Sequence, residues 1–121
     1  DRRGIYEIIG SMLKGNYSLV MDQCNDMIVA SVDVHSLLFE TSEAFRNIFM
    51  TKLQGEKTKL VDLPDHEIKK LAELGKSIDL GQLDKLSREF STIEKELTFS
   101  INKRWIVESI LIRCTARLEK K

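Results

Sequence analysis

Residues 83–118 read LDKLSREFSTIEKELTFSINKRWIVESILIRCTARL and contain two successive helical patterns. In the first pattern, apolar residues recur at alternating steps of three and four positions, at Leu83, Leu86, Phe90, Ile93 and Leu97. This spacing places them on one face of an α-helix. A polar break is predicted at residues 98–102, and a second helix follows it.

The second helix is apolar on two sides. Its broad face carries six apolar residues, namely Ile106, Val107, Ile110, Leu111, Cys114 and Leu118. Trp105 and Ile112 project from nearly the opposite side, with Ser109 between them. A helix with this pattern either lies at the centre of a bundle or contributes a surface to a partner.

Four further helices are predicted upstream, over residues 5–14, 17–30, 34–53 and 66–76. Asn16 and Asp33 have the side chains that favour N-cap positions, and Asp79 with Gln82 has the spacing of a capping box. Short connections between the first three helices predict antiparallel neighbours. No segment alternates with a period of two, so we expect an all-α bundle of five to six helices forming one domain over residues 1–121.

The composition narrows the class of protein. A chain of 121 residues with 42% hydrophobic content suits one core. Lys and Arg together number 19, and Asp and Glu together also number 19. The chain therefore has no net charge that would attract nucleic acid or an anionic membrane. Cys24 and Cys114 are predicted to be buried free thiols of a reducing compartment. We expect neither a membrane span nor a signal peptide, and the abrupt start at Asp1 suggests a fragment.

Catalytic and metal-binding motifs are not predicted. The sequence Gly75-Lys76-Ser77 resembles the end of a phosphate-binding loop, but that motif requires glycine at position 70, where Lys70 stands. We therefore expect a helix C-terminus there. His35 and His66 lack further ligands at suitable spacing. The chain is predicted to have no catalytic, cofactor or metal site and not to be an enzyme by itself.

Two groups of apolar residues remain unassigned. On the third helix, Phe39 and Met50 lie off the main apolar stripe and flank Arg46. They are expected either to pack under the loop at residues 54–65 or to contact another subunit. Trp105 has the same two alternatives, since it could pack on the fourth helix or on residues 60–63, or lie at an interface.

Residues 100–114, SINKRWIVESILIRC, resemble the end of the collar domain in the gamma/tau subunit of bacterial DNA polymerase III. The family pattern is a Ser, then Asn-Pro-Arg, an apolar residue and a helix containing Leu-Glu. Asn102, Arg104 and Glu108 occupy matching positions, whereas Lys103 stands where the family has Pro. Residues 13–17 and 33–53 resemble the family's first turn and third helix, so the resemblance spans essentially the whole chain.

The resemblance implies an oligomerisation domain of the replicative clamp loader, which loads the sliding clamp onto primed DNA in the bacterial cytoplasm. Its implied partners are other gamma/tau copies, delta and delta-prime, with DNA contacted only through the assembled complex. The AAA+ ATPase and zinc modules, with ATP, Mg and Zn, are expected in parts of the parent polymerase subunit outside this chain. The predicted subunit interface comprises Phe39, Arg46, Met50, Trp105, Ser109 and Ile112.

Two other functions remain as alternatives. The first is an unrelated helical adaptor that binds a partner helix or peptide in a groove. The second is a small DNA-binding domain that uses Arg113, Arg117, Lys120 and Lys121, which the zero net charge disfavours.

Overall fold

The computed structural model describes residues 2–30 and 32–119. Within them the chain forms six α-helices and no strand: α1 (Arg3–Leu13), α2 (Tyr17–Val29), α3 (Val34–Gln54), α4 (Asp65–Gly75), α5 (Leu80–Phe99) and α6 (Lys103–Leu118). The predicted all-α bundle is confirmed. The first four helices begin and end within two residues of the predicted positions.

Four of the six helices, α2, α3, α5 and α6, begin with a side-chain cap. The side chain of Asn16 accepts a hydrogen bond from the backbone at the start of α2, and Asp33 does the same for α3. Asp79 and Gln82 form the predicted capping box, with N···O distances of 2.7 and 2.9 Å. Gly15, at φ +67°, supplies the left-handed turn after α1. These local signals explain why the helix boundaries could be predicted.

The core is built around α3 and α6. Helix α6 packs against α1, α2, α3 and α5, and α3 packs against α1, α4, α5 and α6. The broad face of α6 is buried through Val107, Ile110, Leu111, Cys114 and Leu118. The two-sided apolar pattern of α6 allowed a position at the centre of the bundle. That position is confirmed. Cys24 and Cys114 are buried and unpaired, as predicted.

One predicted neighbour relation is wrong. Helix α2 packs against α1 and α6 but makes no extensive contact with α3, although only a short connection separates α2 from α3. Helix α1 contacts both α2 and α3, as α6 does. Helices α1 and α6 therefore cover the faces through which α2 and α3 would otherwise pack against each other.

Helix α4 lies close to α3 because it ends in glycine. Gly75 is buried, and a Cβ atom there would lie 3.1 Å from Cγ2 of Ile48. The Nζ atom of Lys52 donates to the carbonyl of Gly75 at 2.7 Å. Gly75 therefore serves helix packing, as expected for a helix C-terminus. In the preceding loop, Val61 is buried, while Leu60 is exposed.

An ion pair connects the start of α1 to α4. The guanidinium of Arg2 donates to both carboxylate oxygens of Glu67, each at 2.6 Å, and the Tyr6 hydroxyl donates to Oε1 at 2.9 Å. The hydrogen bonds from Arg2, with that from Tyr6, lower the pKa of Glu67 to about 2. Burial and the bond to Glu67 raise the pKa of Tyr6 to about 12.

Gly10 lies in the interior of α1, where no close packing contact requires a glycine. A Cβ atom built there would meet no neighbouring atom within 4 Å. Because glycine is a poor helix former, we expect Gly10→Ala to raise the free energy of unfolding by about 0.5–1 kcal/mol. Urea denaturation measures this. Gly75→Ala is the matched control, since its Cβ would lie 3.1 Å from Cγ2 of Ile48 and its gain should therefore be smaller. A Gly10→Ala variant less stable than the wild type would contradict the conclusion that a Cβ atom at this position meets no neighbour.

Candidate functional site

Three large apolar side chains are exposed where α5 meets α6. Phe99 is 87% exposed, Ile101 is fully exposed and Trp105 is 70% exposed. We call these three residues the α5–α6 corner. Water contact with apolar side chains of this size is unfavourable, and such surfaces commonly mark binding sites. The corner is therefore the leading candidate for contact with a partner.

The backbone of the corner is held by side-chain hydrogen bonds. The Oδ1 atom of Asn102 accepts from the backbone N–H of Trp105 at 3.0 Å and so caps α6. The Nζ atom of Lys103 donates to the carbonyls of Leu97 and Ser100, at 2.9 and 3.1 Å. These carbonyls lie at the end of α5, where helix carbonyls lack partners within the helix. Lys103 thus connects the two helices at the position where the gamma/tau pattern has Pro.

Arg104, which pairs with Glu108 on its own helix, attaches α6 to α2. The Nε atom of Arg104 donates to Oε2 of Glu108 at 3.1 Å, one helical turn away, and its Nη2 atom donates to Oδ1 of Asn25 at 2.8 Å. Trp105 follows Arg104 directly, so the same contacts hold the part of α6 that carries the Trp105 ring. Of the three motif residues, Asn102 thus caps the helix that carries Trp105, and Arg104 with Glu108 fixes that helix against α2.

The corner contains two residues that the sequence analysis missed. Phe99 and Ile101 fall in the segment predicted as a polar break, and both are exposed apolar side chains. The available signal was their apolar character within an otherwise polar turn. The remaining predicted residues of this face, Ser109 and Ile112, are half-buried. Trp105 is not a core residue, and α6 makes no extensive contact with α4 that could cover it.

The predicted residues of α3 divide between two environments. Met50 is half-buried and packs on the core, whereas Phe39 is 64% exposed. The Nη1 atom of Arg46 donates to the carbonyl of Leu60 at 2.6 Å and to Oδ1 of Asn47 at 3.1 Å. Arg46 thus attaches α3 to the following loop.

Phe39 and Arg46 lie on one cavity of about 310 Å³. Leu60 and Leu63 of the loop also line it. Trp105, Ser109 and Ile112 do not line it, so this cavity does not join the predicted interface residues of α3 to those of α6. We call Phe39 and Arg46 the α3 surface.

Of the basic residues named for the DNA-binding alternative, Arg117 is engaged within the chain. Two nitrogens of Arg117 donate to Oε1 of Glu89, at 2.9 and 3.1 Å, and the Arg117 carbonyl accepts from Gln82. The ion pair with Glu89 thus occupies one of the arginines that the DNA-binding alternative would use. Lys120 and Lys121 lie outside the described residues.

Other site classes find little support in the part of the chain that the structure describes. No group of three His, Cys, Asp or Glu side chains there has the arrangement of a metal site. None of the six helices combines the length and the apolar content that a membrane span requires. Burial raises the pKa of the Cys24 and Cys114 thiols, which disfavours the reactive thiolate form.

Comparison with known proteins identifies the family. A search of curated proteins gives no match. The family model described as DNA polymerase III subunits gamma and tau domain III matches residues 1–120. The observed fold, an all-α bundle, agrees with the collar-domain resemblance of residues 100–114. Because the match covers almost the entire sequence, the chain belongs to the family of DNA polymerase III gamma and tau domain III.

Proposed function

We propose that this domain holds clamp-loader subunits together through its α5–α6 corner. The family places the chain in a gamma or tau subunit and hence in the context of DNA replication and the clamp loader. The observation that carries the proposal is the exposure of Phe99, Ile101 and Trp105 on a corner held by hydrogen bonds. The proposed partners are other gamma/tau copies, delta and delta-prime.

The chemistry of the corner suits a subunit contact. Tryptophan is enriched among the residues that contribute most to binding energy, because it buries a large area and loses few rotamers. The corner is also held in place before binding, since Asn102 caps α6 and Lys103 connects α6 to the end of α5. Such preorganisation reduces the entropy lost on association.

A ring of subunits requires two different surfaces on each protomer, because its contacts are heterologous. The α3 surface is the proposed second contact. Phe39 is exposed there, and the Arg46 guanidinium is held by the Leu60 carbonyl. The two surfaces share no residue, which is the arrangement that a head-to-tail contact needs.

Association in this proposal depends on apolar burial rather than on ATP, Mg or Zn. Those ligands belong to the proposed ATPase and zinc modules of the parent subunit, which acts in the cytoplasm. The domain has 19 basic and 19 acidic residues, so it offers no net attraction for DNA. Contact with DNA is accordingly assigned to the assembled complex.

Native mass spectrometry tests the proposal. We would measure this domain and its full-length parent, each alone and mixed with the delta and delta-prime subunits of the same source. Trp105→Ala is expected to weaken assembly by about tenfold or more, with the fold unchanged by circular dichroism. Leu53→Ala is the matched control, because Leu53 is exposed on α3 outside both surfaces.

The outcomes separate the alternatives. A hetero-oligomer weakened by Trp105→Ala but not by Leu53→Ala would support the corner as the contact. Equal weakening by both variants would contradict it. A monomer in every mixture, under conditions where the full-length parent assembles, would instead favour an adaptor that binds a partner helix or peptide.

A further inference from the structure

A polar groove of about 1050 Å³ runs along α1, between the first half of α2 and the start of α4. It shares no residue with the α5–α6 corner, whereas Arg2 and Tyr6 line both this groove and the cavity beside the α3 surface. Tyr6 and Ser11 contribute buried side chains to its lining, and Leu19 contributes an exposed one. The lining is thus partly apolar and partly polar.

Gly10 keeps this groove open. It lines the groove from the interior of α1, and a Cβ atom there would meet nothing within 4 Å. Packing within the chain therefore does not require glycine, and nearly every other residue would favour the helix more. Any larger side chain at this position would project into the groove. The glycine leaves room for an occupant from outside the chain.

The groove carries an excess of positive charge. Four Arg or Lys residues and two Glu residues line it, which is an excess of two basic side chains. One of the acids, Glu67, is already neutralised by Arg2. The side chains of Lys14 and Lys70 make no hydrogen bond or ion pair in the described part of the chain. These two ammonium groups are available to an anionic ligand.

We propose that the groove binds a carboxylate-rich peptide segment of a partner protein in an extended conformation. The distance along the helix axis from Arg3, in α1, to Lys14, just after its end, is about 16 Å at the helical rise per residue. An extended segment of about five residues covers this distance, whereas a single small anion does not. Acidic side chains would pair with Lys14 and Lys70, and apolar ones would contact Tyr6 and Leu19.

Peptide carboxylates fit the groove better than a nucleic-acid backbone. Glu7 lines it and would repel a continuous row of phosphates, whereas a peptide can place an apolar or neutral residue opposite Glu7. The chain as a whole has zero net charge and so does not concentrate polyanions around itself. The partner therefore has acidic and apolar side chains in the same short segment.

Fluorescence anisotropy tests this assignment with a labelled ten-residue peptide of Glu, Asp and Leu. The same peptide with Gln and Asn in place of the acids is the neutral probe. The acidic peptide is expected to bind. The double variant Lys14→Glu/Lys70→Glu is expected to lower its affinity by about tenfold or more. Lys85→Glu/Lys95→Glu is the matched control, because it changes the net charge equally on exposed residues of α5, outside the groove.

A second variant tests the shape of the groove without changing charge. Gly10→Leu is expected to retain the helical circular dichroism spectrum. It is expected to lower the affinity for the acidic peptide by about tenfold. Three results would overturn the proposal: equal losses in both lysine variants, no effect of Gly10→Leu, or no binding at about 1 mM peptide. Tighter binding of a single-stranded oligonucleotide of equal charge would reassign the groove to nucleic acid and also overturn it.

Discussion

Leu111→Ala is expected to lower the free energy of unfolding by about 2–5 kcal/mol. Leu111 is fully buried on α6, the helix that packs against α1, α2, α3 and α5. Truncation removes apolar contacts and leaves a cavity that four surrounding helices cannot readily close. A single domain is typically stable by about 5–15 kcal/mol, so this one change removes a large share of the total.

Urea denaturation followed by circular dichroism measures this loss. Leu53→Ala is the matched control, because it makes the same chemical change on α3 where the side chain is 53% exposed. Its expected effect is within about 0.5 kcal/mol. Similar losses in the two variants would show that α6 is not the centre of the core. An unchanged slope of stability against urea would show that both variants unfold in the same manner.

Acidification from pH 6 to pH 2 is expected to remove about 2 kcal/mol of stability that Glu67 contributes. In the folded chain, hydrogen bonds from Arg2 and Tyr6 hold the pKa of Glu67 near 2, below the ordinary value of 4.5. As the pH falls, the unfolded chain therefore binds the proton first. The contribution is complete above the ordinary pKa and disappears as the pH falls through the lower one. Half of the Arg2 side chain is exposed, so solvent screening reduces the magnitude.

Comparison of the wild type with Glu67→Gln isolates this contribution. The difference in unfolding free energy, measured in urea at several pH values, should be largest near pH 6 and should vanish near pH 2. Glu73→Gln, an exposed carboxylate on the same helix, controls for the loss of one negative charge from α4. A difference between wild type and Glu67→Gln that persists unchanged at pH 2 would contradict the role of the ionised carboxylate.

The fold could be predicted from the sequence because its signals are local. Asn16, Asp33 and the pair Asp79 and Gln82 satisfy backbone groups within three or four residues of their own positions. Their consequences therefore do not depend on tertiary contacts. The central location of α6 could also be predicted from the sequence, since a helix that is apolar on two sides has few other places in a bundle.

The arrangement of α2 and α3 could not be predicted in the same way. A short connection limits the distance between two helix ends but not the angle at which the helices leave it. Here α1 and α6 occupy the intervening positions. The positions of Phe39 and Trp105 were likewise open, because exposure depends on which helices remain available to cover a side chain. That information lies in the complete set of helix contacts.

The candidate corner was only partly visible in the sequence. Trp105 was identified because it interrupts the polar side of an otherwise regular helix. Phe99 and Ile101 were missed, since a segment with Thr98, Ser100 and Asn102 has the composition of a polar turn. The hydrogen bonds of Lys103 to the end of α5 also depend on the angle between α5 and α6, which periodicity does not give.

The location of α6 has a consequence for synthesis on the ribosome. Chains emerge N-terminus first, and α6 is the last of the six helices to appear although it packs against four of the others. The nascent segment containing α1–α5 therefore carries apolar faces that have no cover until α6 has been translated. Exposed faces of this kind are substrates for chaperones. We expect the nascent domain to gain resistance to proteolysis in a single late step, after residue 118 has left the exit tunnel.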